Sequence, residues 1–180
     1  REAYKRHIVR RFQLYGFKKS VAEKKMKNIM KVEVALAKAS KSNTELRDPQ
    51  ANYNKMTLKE FDMNYPHLML ERQMNAKGVK SQYIQEIVVG QPAFMEAADK
   101  LFSTMSAAEY RDVMEWGVID GSTGYLNDAV REANFDFYGR IFSGKKEDHP
   151  LWRRATNQVQ GVMGEALGRI YVKKYFPANR

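Results

Sequence analysis

The stretch Tyr4-Lys5-Arg6-His7-Ile8-Val9-Arg10-Arg11-Phe12-Gln13-Leu14-Tyr15-Gly16 sets Tyr4, Ile8, Phe12 and Tyr15 three to four residues apart and then stops at a glycine. That spacing puts the four apolar groups on one side of an α-helix. Gly16 can take the left-handed conformation common just past a helix end, so the helix should stop near Tyr15. Four residues on, Ser20 stands three before Glu23. In such a capping box the hydroxyl and the carboxylate satisfy backbone donors that a helix start leaves unpaired, which predicts a second helix from about Val21 to Ala39. The arrangement recurs at Thr57/Glu60 and Ser106/Glu109. Three helix starts of this kind indicate an all-α fold, an irregular multi-helix domain.

The segment from Ser40 to Met56 is polar, with Asn43, Asp48, Pro49, Asn52 and Asn54, and reads as an ordered connector. Pro66 limits the short helix opened by Thr57, and Leu68 to Ala76 offers another closed by Gly78. Tyr83 to Val89 is the one β-leaning run, too isolated to build a sheet. Pro92 suits a first helical position ahead of Phe94, Ala97, Ala98 and Leu101. Tyr110, Val113, Met114 and Gly117 form a further stripe, and Leu126, Ala129, Val130, Ala133, Phe137 and Ile141 another; both are expected to pack inward. After a solvent-facing connection over 144–150, Pro150 enters a last helix whose apolar side carries Trp152, Ala155, Val159, Met163, Ala166 and Ile170. Gly161, Gly164 and Gly168 share one face of it, where another backbone could approach. Met26, Met30, Met114 and Met163 sit at core spacing. No fixed-period repeat is present.

A length of 180 residues with 43% hydrophobic content suits one domain over 1–180 with a substantial core. The chain opens on Arg1 and runs directly into a helical stripe, which reads as a cut within a longer polypeptide. No run is long and apolar enough to span a bilayer, and no leader pattern is visible. Without cysteine there are no disulfides or thiolate metal sites, so His, Asp and Glu remain as metal ligands. The net charge is +10, and residues 1–31 hold eleven Lys or Arg against Glu2 and Glu23. Two solvated helix faces explain this. The alternative is a basic binding module that sets Lys5, Arg6, Arg10, Arg11, Lys18, Lys19, Lys24 and Lys25 on nucleic acid or an anionic surface, with salt-dependent affinity.

Chemistry is sparse. His7, His67 and His149 are the only histidines, and none begins the His-Glu-x-x-His pattern of zinc peptidases. His67 and Glu71 could share a helix face, yet no third ligand accompanies them. Glu33 interrupts the apolar series Ala22, Met26, Ile29, Leu36 and should point inward. A buried carboxylate is costly alone, so a structural ion pair with Arg47, Arg153 or Arg169 is expected. Asp48 before Pro49 fits a turn held by side-chain to backbone hydrogen bonds. Tyr53, Asn54 and Lys55 are expected to fix the connector through hydrogen bonds, because a long polar segment must find partners for its backbone.

Three segments taken in order carry a family resemblance. Leu46-Arg47-Asp48-Pro49-Gln50-Ala51-Asn52-Tyr53-Asn54-Lys55-Met56-Thr57-Leu58 resembles a signature from the amino-terminal half of neprilysin-like zinc metallopeptidases. Trp152-Arg153-Arg154-Ala155-Thr156-Asn157 and Met163-Gly164-Glu165-Ala166-Leu167-Gly168-Arg169-Ile170-Tyr171-Val172 are similar to the segment that closes that family's helical domain. Ile87-Val88-Val89 with Pro92, and Met114-Glu115-Trp116, fit the spacing, so the resemblance covers essentially the whole chain. Ala155 stands where mammalian members have a cysteine, and Asn75-Ala76 is followed by Lys77 rather than the aromatic of the family's substrate-backbone motif. The resemblance implies a two-lobed zinc endopeptidase in which a helical lobe faces the catalytic lobe of the same polypeptide across a chamber that admits peptides. It implies zinc in the parent enzyme, bound by residues with no counterpart here, and an extracytoplasmic location. This chain would then be inactive alone, with Tyr53, Asn54 and Lys55 as alternative chamber-lining residues. A parent whose catalytic half has degenerated fits the same residues.

Overall fold

A computed structural model describes residues 1–176. The chain divides into two compact units, Arg1–Ala133 and Asn134–Arg180. The first is organised on three helices, α1 (Glu2–Leu14), α2 (Lys19–Ala39) and α6 (Ala107–Gly121). Ile8, Phe12, Ala22 and Ile29 are wholly buried between them, with Met30, Trp116 and Ile119 completing the cluster. Burying each large side chain contributes about 1.5–3 kcal/mol, so this cluster dominates the unit's stability. Tyr4, Ile8 and Phe12 turn inward as their spacing requires, and Gly16 ends α1 with φ +90°. Tyr15 lies at the rim, its hydroxyl 2.9 Å from Ser122 Oγ.

Two of the three capping boxes form. Thr57 Oγ1 accepts from Glu60 N at 3.1 Å while Glu60 Oε2 accepts from Thr57 N at 2.7 Å, opening α3 (Leu58–Asn64). Ser106 and Glu109 do the same at 3.3 and 2.9 Å for α6. The Ser20/Glu23 box does not form. Lys18, with extended φ/ψ, takes the cap position of α2, so Ser20 is already the second helical residue and its hydroxyl cannot reach back over the helix start.

A short ribbon departs from the sequence expectation. Asn54–Thr57 (β1) pairs antiparallel with Glu86–Val89 (β2), in the register Asn54↔Val89 to Thr57↔Glu86. The connector thus ends in a strand, and the β-leaning run finds its partner about thirty residues back along the chain. On this ribbon α3, α4 (Leu70–Ala76) and α5 (Pro92–Thr104) build a second, smaller core of Phe61, Tyr65 and Val89 with Met56, Leu68, Ile87 and Met95. Gly78, at φ +79°, closes α4, and Pro92 occupies the first turn of α5. The fold remains all-α, since these two four-residue strands are the only ones among the described residues.

The stripe from Leu126 to Ile141 is not one helix. α7 (Asp128–Asn134) buries Val130 and Ala133, whereas a π-helical segment over Phe135–Phe142 follows and Ile141 is 61% exposed. The wider π spiral breaks the 3.6-residue period on which an inward stripe depends. Gly139 is required there, because a Cβ would collide with the Phe135 ring. In the second unit, α8 (Leu151–Tyr175) follows Pro150, which is its cap rather than its first residue. Its expected inward side is exposed: Trp152 by 69%, Met163 by 55% and Ile170 by 65%. Met163, at φ −128°, interrupts the helix, and no atom lies near enough to Gly161, Gly164 or Gly168 for the close packing their spacing suggested. Met114 is likewise exposed, whereas Met26 and Met30 pack in the three-helix core.

Candidate functional site

The three-helix unit carries a polar seam through its core. Trp116 Nε1 donates to the Tyr4 hydroxyl at 3.1 Å, and that hydroxyl donates to Glu33 Oε1 at 2.8 Å. Glu33 is half-buried, and its partner is a tyrosine where an arginine was expected. The reason is geometric: Tyr4, one turn before Ile8 on α1, brings a hydroxyl to the level of Glu33 on α2, so the carboxylate is met without a cation. Burial pushes its pKa up, the hydrogen bonds from Tyr4 and Trp116 oppose that, and the charge of Asp120 adds to the rise.

One turn further, Lys25 Nζ lies 2.6 Å from both Asp112 Oδ1 and Glu115 Oε2, and Asn28 Nδ2 donates to Asp112 Oδ2 at 2.7 Å. The ammonium also sits 5.1 Å from the centre of the Phe17 ring. Burial alone would lower the Lys25 pKa, but the two carboxylates outweigh it and hold it above the ordinary value. Arg11 is wholly buried, donates to the Ile119 carbonyl and lies 3.9 Å from Asp120, which is 3.7 Å from His7. Arg11 and Lys25 are therefore internal braces, which removes two of the eight residues that a nucleic-acid face would use. At the surface Lys31 meets Glu109 at 2.8 Å. That contact, followed by the hydrogen bonds from Ser106, holds the Glu109 carboxyl down to about 2.

The connector is tied by its own polar side chains. Asp48 Oδ1 accepts from Gln50 N at 3.0 Å and Ala51 N at 3.1 Å. Asn52 Nδ2 donates to the Asp48 and Glu45 carbonyls, and Lys41 Nζ reaches Asn52 Oδ1 at 2.7 Å. Asn54 Nδ2 donates to the Val89 carbonyl at 2.9 Å, while Lys55 pairs with Glu86 at 2.6 Å across the ribbon. Tyr53 projects outward, 60% exposed. Arg153 and Arg169 are exposed on α8.

The histidines do not converge. His7 is buried against Tyr4 and Trp116, and His67 Nδ1 lies 3.0 Å from Asp99 Oδ2. Burial would raise the Asp99 pKa, but the side-chain and backbone hydrogen bonds from His67 bring it below the ordinary value. Among the described residues no three His, Asp or Glu side chains cluster as a metal site would need. No helix of the described residues is long and apolar enough to cross a membrane.

An open groove of about 920 Å³ runs beside His67, lined by Met69, Arg72, Phe102, Tyr110 and Met114. Met69 is the one non-glycine residue with positive φ (47°) among those described. Asp62 accepts from the Leu70 and Glu71 amides at 2.8 and 3.3 Å and so caps α4 from outside, which holds that turn. Sequence reasoning missed this cap, the Arg11 brace and the Lys25 network. The i, i+4 spacing of Arg11 with His7, inside an otherwise apolar stripe, was the one signal that pointed to a polar core.

The model of the N-terminal region of peptidase family M13 matches residues 1–180. Human neprilysin is 26% identical over 161 residues, which cover 84% of this chain and 21% of that protein. The neutral endopeptidase of Lactobacillus helveticus is 27% identical over 164 residues, or 91% of this chain and 25% of the relative. Among solved structures, the zinc metalloprotease Zmp1 of Mycobacterium tuberculosis in its open state superposes with a TM-score of 0.92 at 28% identity, over 98% of this chain and 28% of that one. The chain thus spans about a quarter of the length of these relatives. With the family match running from the first residue to the last, the chain belongs to peptidase family M13, as a neprilysin-like N-terminal domain.

Proposed function

We propose that this chain is the helical, non-catalytic lobe of a neprilysin-like zinc metalloendopeptidase, walling a substrate chamber and limiting access to peptides and short unfolded segments. One observation carries the reading: the whole chain matches the N-terminal region of a peptidase family, while no metal-ligand cluster occurs among its described residues. The zinc would be held by sequence outside these 180 residues, in the catalytic lobe of the same polypeptide. The apolar side chains exposed along α8, Trp152 and Ile170 among them, suit burial against that lobe. The braced seam of α1, α2 and α6 would keep the wall rigid, since each internal charge is matched by a partner on another helix. Both units would act as one lobe over 1–180. The parent would act outside the cytoplasm, a reading that the similarity to neprilysins supports, and no specific nucleic-acid contact is expected. The test is hydrolysis of a fluorogenic peptide by the purified chain, with and without zinc. No turnover above the peptide blank is expected; zinc-dependent turnover abolished by a chelator would overturn the proposal.

A further inference from the structure

The outer side of the α1–α2 hairpin is a trough, not a smooth charged face. Two hollows of about 470 and 380 Å³ lie along it and share Lys5, Met26 and Lys27, so they form one continuous depression. Its floor is apolar, made by Val9, Met26, Met30 and Val34, all buried or half-buried. Its rim is basic. Arg6, Arg10 and Lys19 border one end, and Arg1 and Lys31 the other. Some of that charge is answered locally, as Lys5 meets Glu2 at 2.8 Å, Lys19 lies 4.0 Å from Glu23 and Lys31 meets Glu109 at 2.8 Å. Arg6 and Lys27 have no acidic partner among the described residues.

We infer that this trough is a docking surface for an acidic polypeptide segment that carries apolar residues between its carboxylates. Charge complementarity selects the partner's sign, and the recessed floor selects its form. A bilayer is flat and takes up protruding apolar side chains, whereas Met26 and Val9 are sunk between two helices. Single-stranded nucleic acid is held by aromatic side chains that stack on bases, and neither hollow has an aromatic lining residue. A peptide satisfies both parts, setting its apolar side chains on the floor and its carboxylates toward Arg6 and Lys27. α1 is 13 residues long, about 20 Å at the helical rise, which seats roughly six residues of extended chain. The inference is independent of the zinc peptidase reading, because it needs no catalytic lobe.

The test is fluorescence anisotropy with the full 180-residue chain and a labelled 12-residue peptide of glutamates interrupted by leucines. Binding is expected to weaken steadily with salt. The double substitution Arg6→Glu with Lys27→Glu should weaken it by about tenfold or more, since rim charges worth little singly are here reversed in pairs. Lys24→Glu with Lys18→Glu changes the net charge equally but lies outside both hollows, and should weaken binding less than about threefold. Replacing the leucines by serine should cost about fivefold. Equal losses for the two double variants, no loss with the serine peptide, or tighter binding of single-stranded DNA or phosphatidylserine vesicles than of the peptide would each overturn the inference. Circular dichroism checks that each variant folds; if a reversal unfolds, the Arg6→Gln, Lys27→Gln pair replaces it, and there a loss under twofold counts against the trough.

Discussion

Replacing Asp112 by asparagine should be among the most damaging changes of a single charge in this chain. The carboxylate is almost enclosed, 2.6 Å from Lys25 Nζ through one oxygen and 2.7 Å from Asn28 Nδ2 through the other. At that separation and an effective dielectric near 20, the gross attraction to Lys25 is about 6 kcal/mol, most of it offset by the cost of removing both charges from water. Asp112→Asn preserves the shape but removes the charge and turns an amide NH2 toward one of two existing donors. Lys25 keeps Glu115 as a partner at 2.6 Å, which caps the damage. A net loss of about 2–3 kcal/mol follows, between a lost charged hydrogen bond and a broken buried pair. Urea unfolding followed by Trp116 fluorescence, in a Trp152→Phe background, reads this directly, and a thermal melt of the same variant should have its midpoint lowered by about 4–12 °C. A cycle with Lys25→Met should return a coupling of about 1.5 kcal/mol or more. Because the Lys25 pKa is raised on folding, its contribution is complete below its unfolded value of 10.5 and is lost as pH climbs through the higher folded value. A single-variant loss under about 0.5 kcal/mol, or an additive cycle, would show that the seam behaves as an exposed ion pair and refute the reasoning.

Three further outcomes follow from the same geometry. Glu33→Gln should leave stability equal or higher at pH 7, because burial raises the Glu33 pKa and the folded state there holds a charge it disfavours; the advantage should shrink as pH falls through the folded value toward 4.5, and denaturation midpoints at the two pH values check it. Ser106→Ala should cost about 1 kcal/mol, while Ser20→Ala should cost almost nothing, since only Ser106 caps a helix; paired thermal melts decide, and equal losses would contradict the cap assignment. Ile29→Ala, at a wholly buried site packed among Ile8, Phe12 and Trp116, should cost about 2–5 kcal/mol, against less than about 0.5 kcal/mol for the exposed Val162→Ala on α8.

What the residues revealed in advance was local. Gly16, Gly78, Thr57 and Ser106 each act within a turn of their own position, and each ends or opens a helix where its chemistry says it should. Ser20 has the same chemistry, yet α2 begins before it, so a two-residue difference in the start removes the cap. Pairings at long range were hidden. Asn54 and Lys55 are poor strand formers, and only the arrival of residues 86–89 makes a strand of them. Glu33 was legible as inward-facing, but its donor was not, because Tyr4 counts as apolar in a periodicity and as a hydroxyl in a core. The exposed side of α8 follows the opposite rule: an apolar period marks a surface to be covered and says nothing of whether the cover lies within the same stretch of chain.

The β1–β2 ribbon turns residues 58–85 into an excursion whose two ends are clamped side by side, about 5 Å apart, by the pairing of Thr57 with Glu86. Insertions or deletions within the excursion need not disturb the bracing helices, since the ends stay fixed while the loop between them changes length at small entropic cost. Its Phe61 and Tyr65 belong to the smaller core, so the excursion can open and reclose with Phe12 and Ile29 still packed. Amide protons of α3 and α4 should therefore exchange earlier than those of α1 and α2, which makes this clamp the natural place for homologous chains to vary in length.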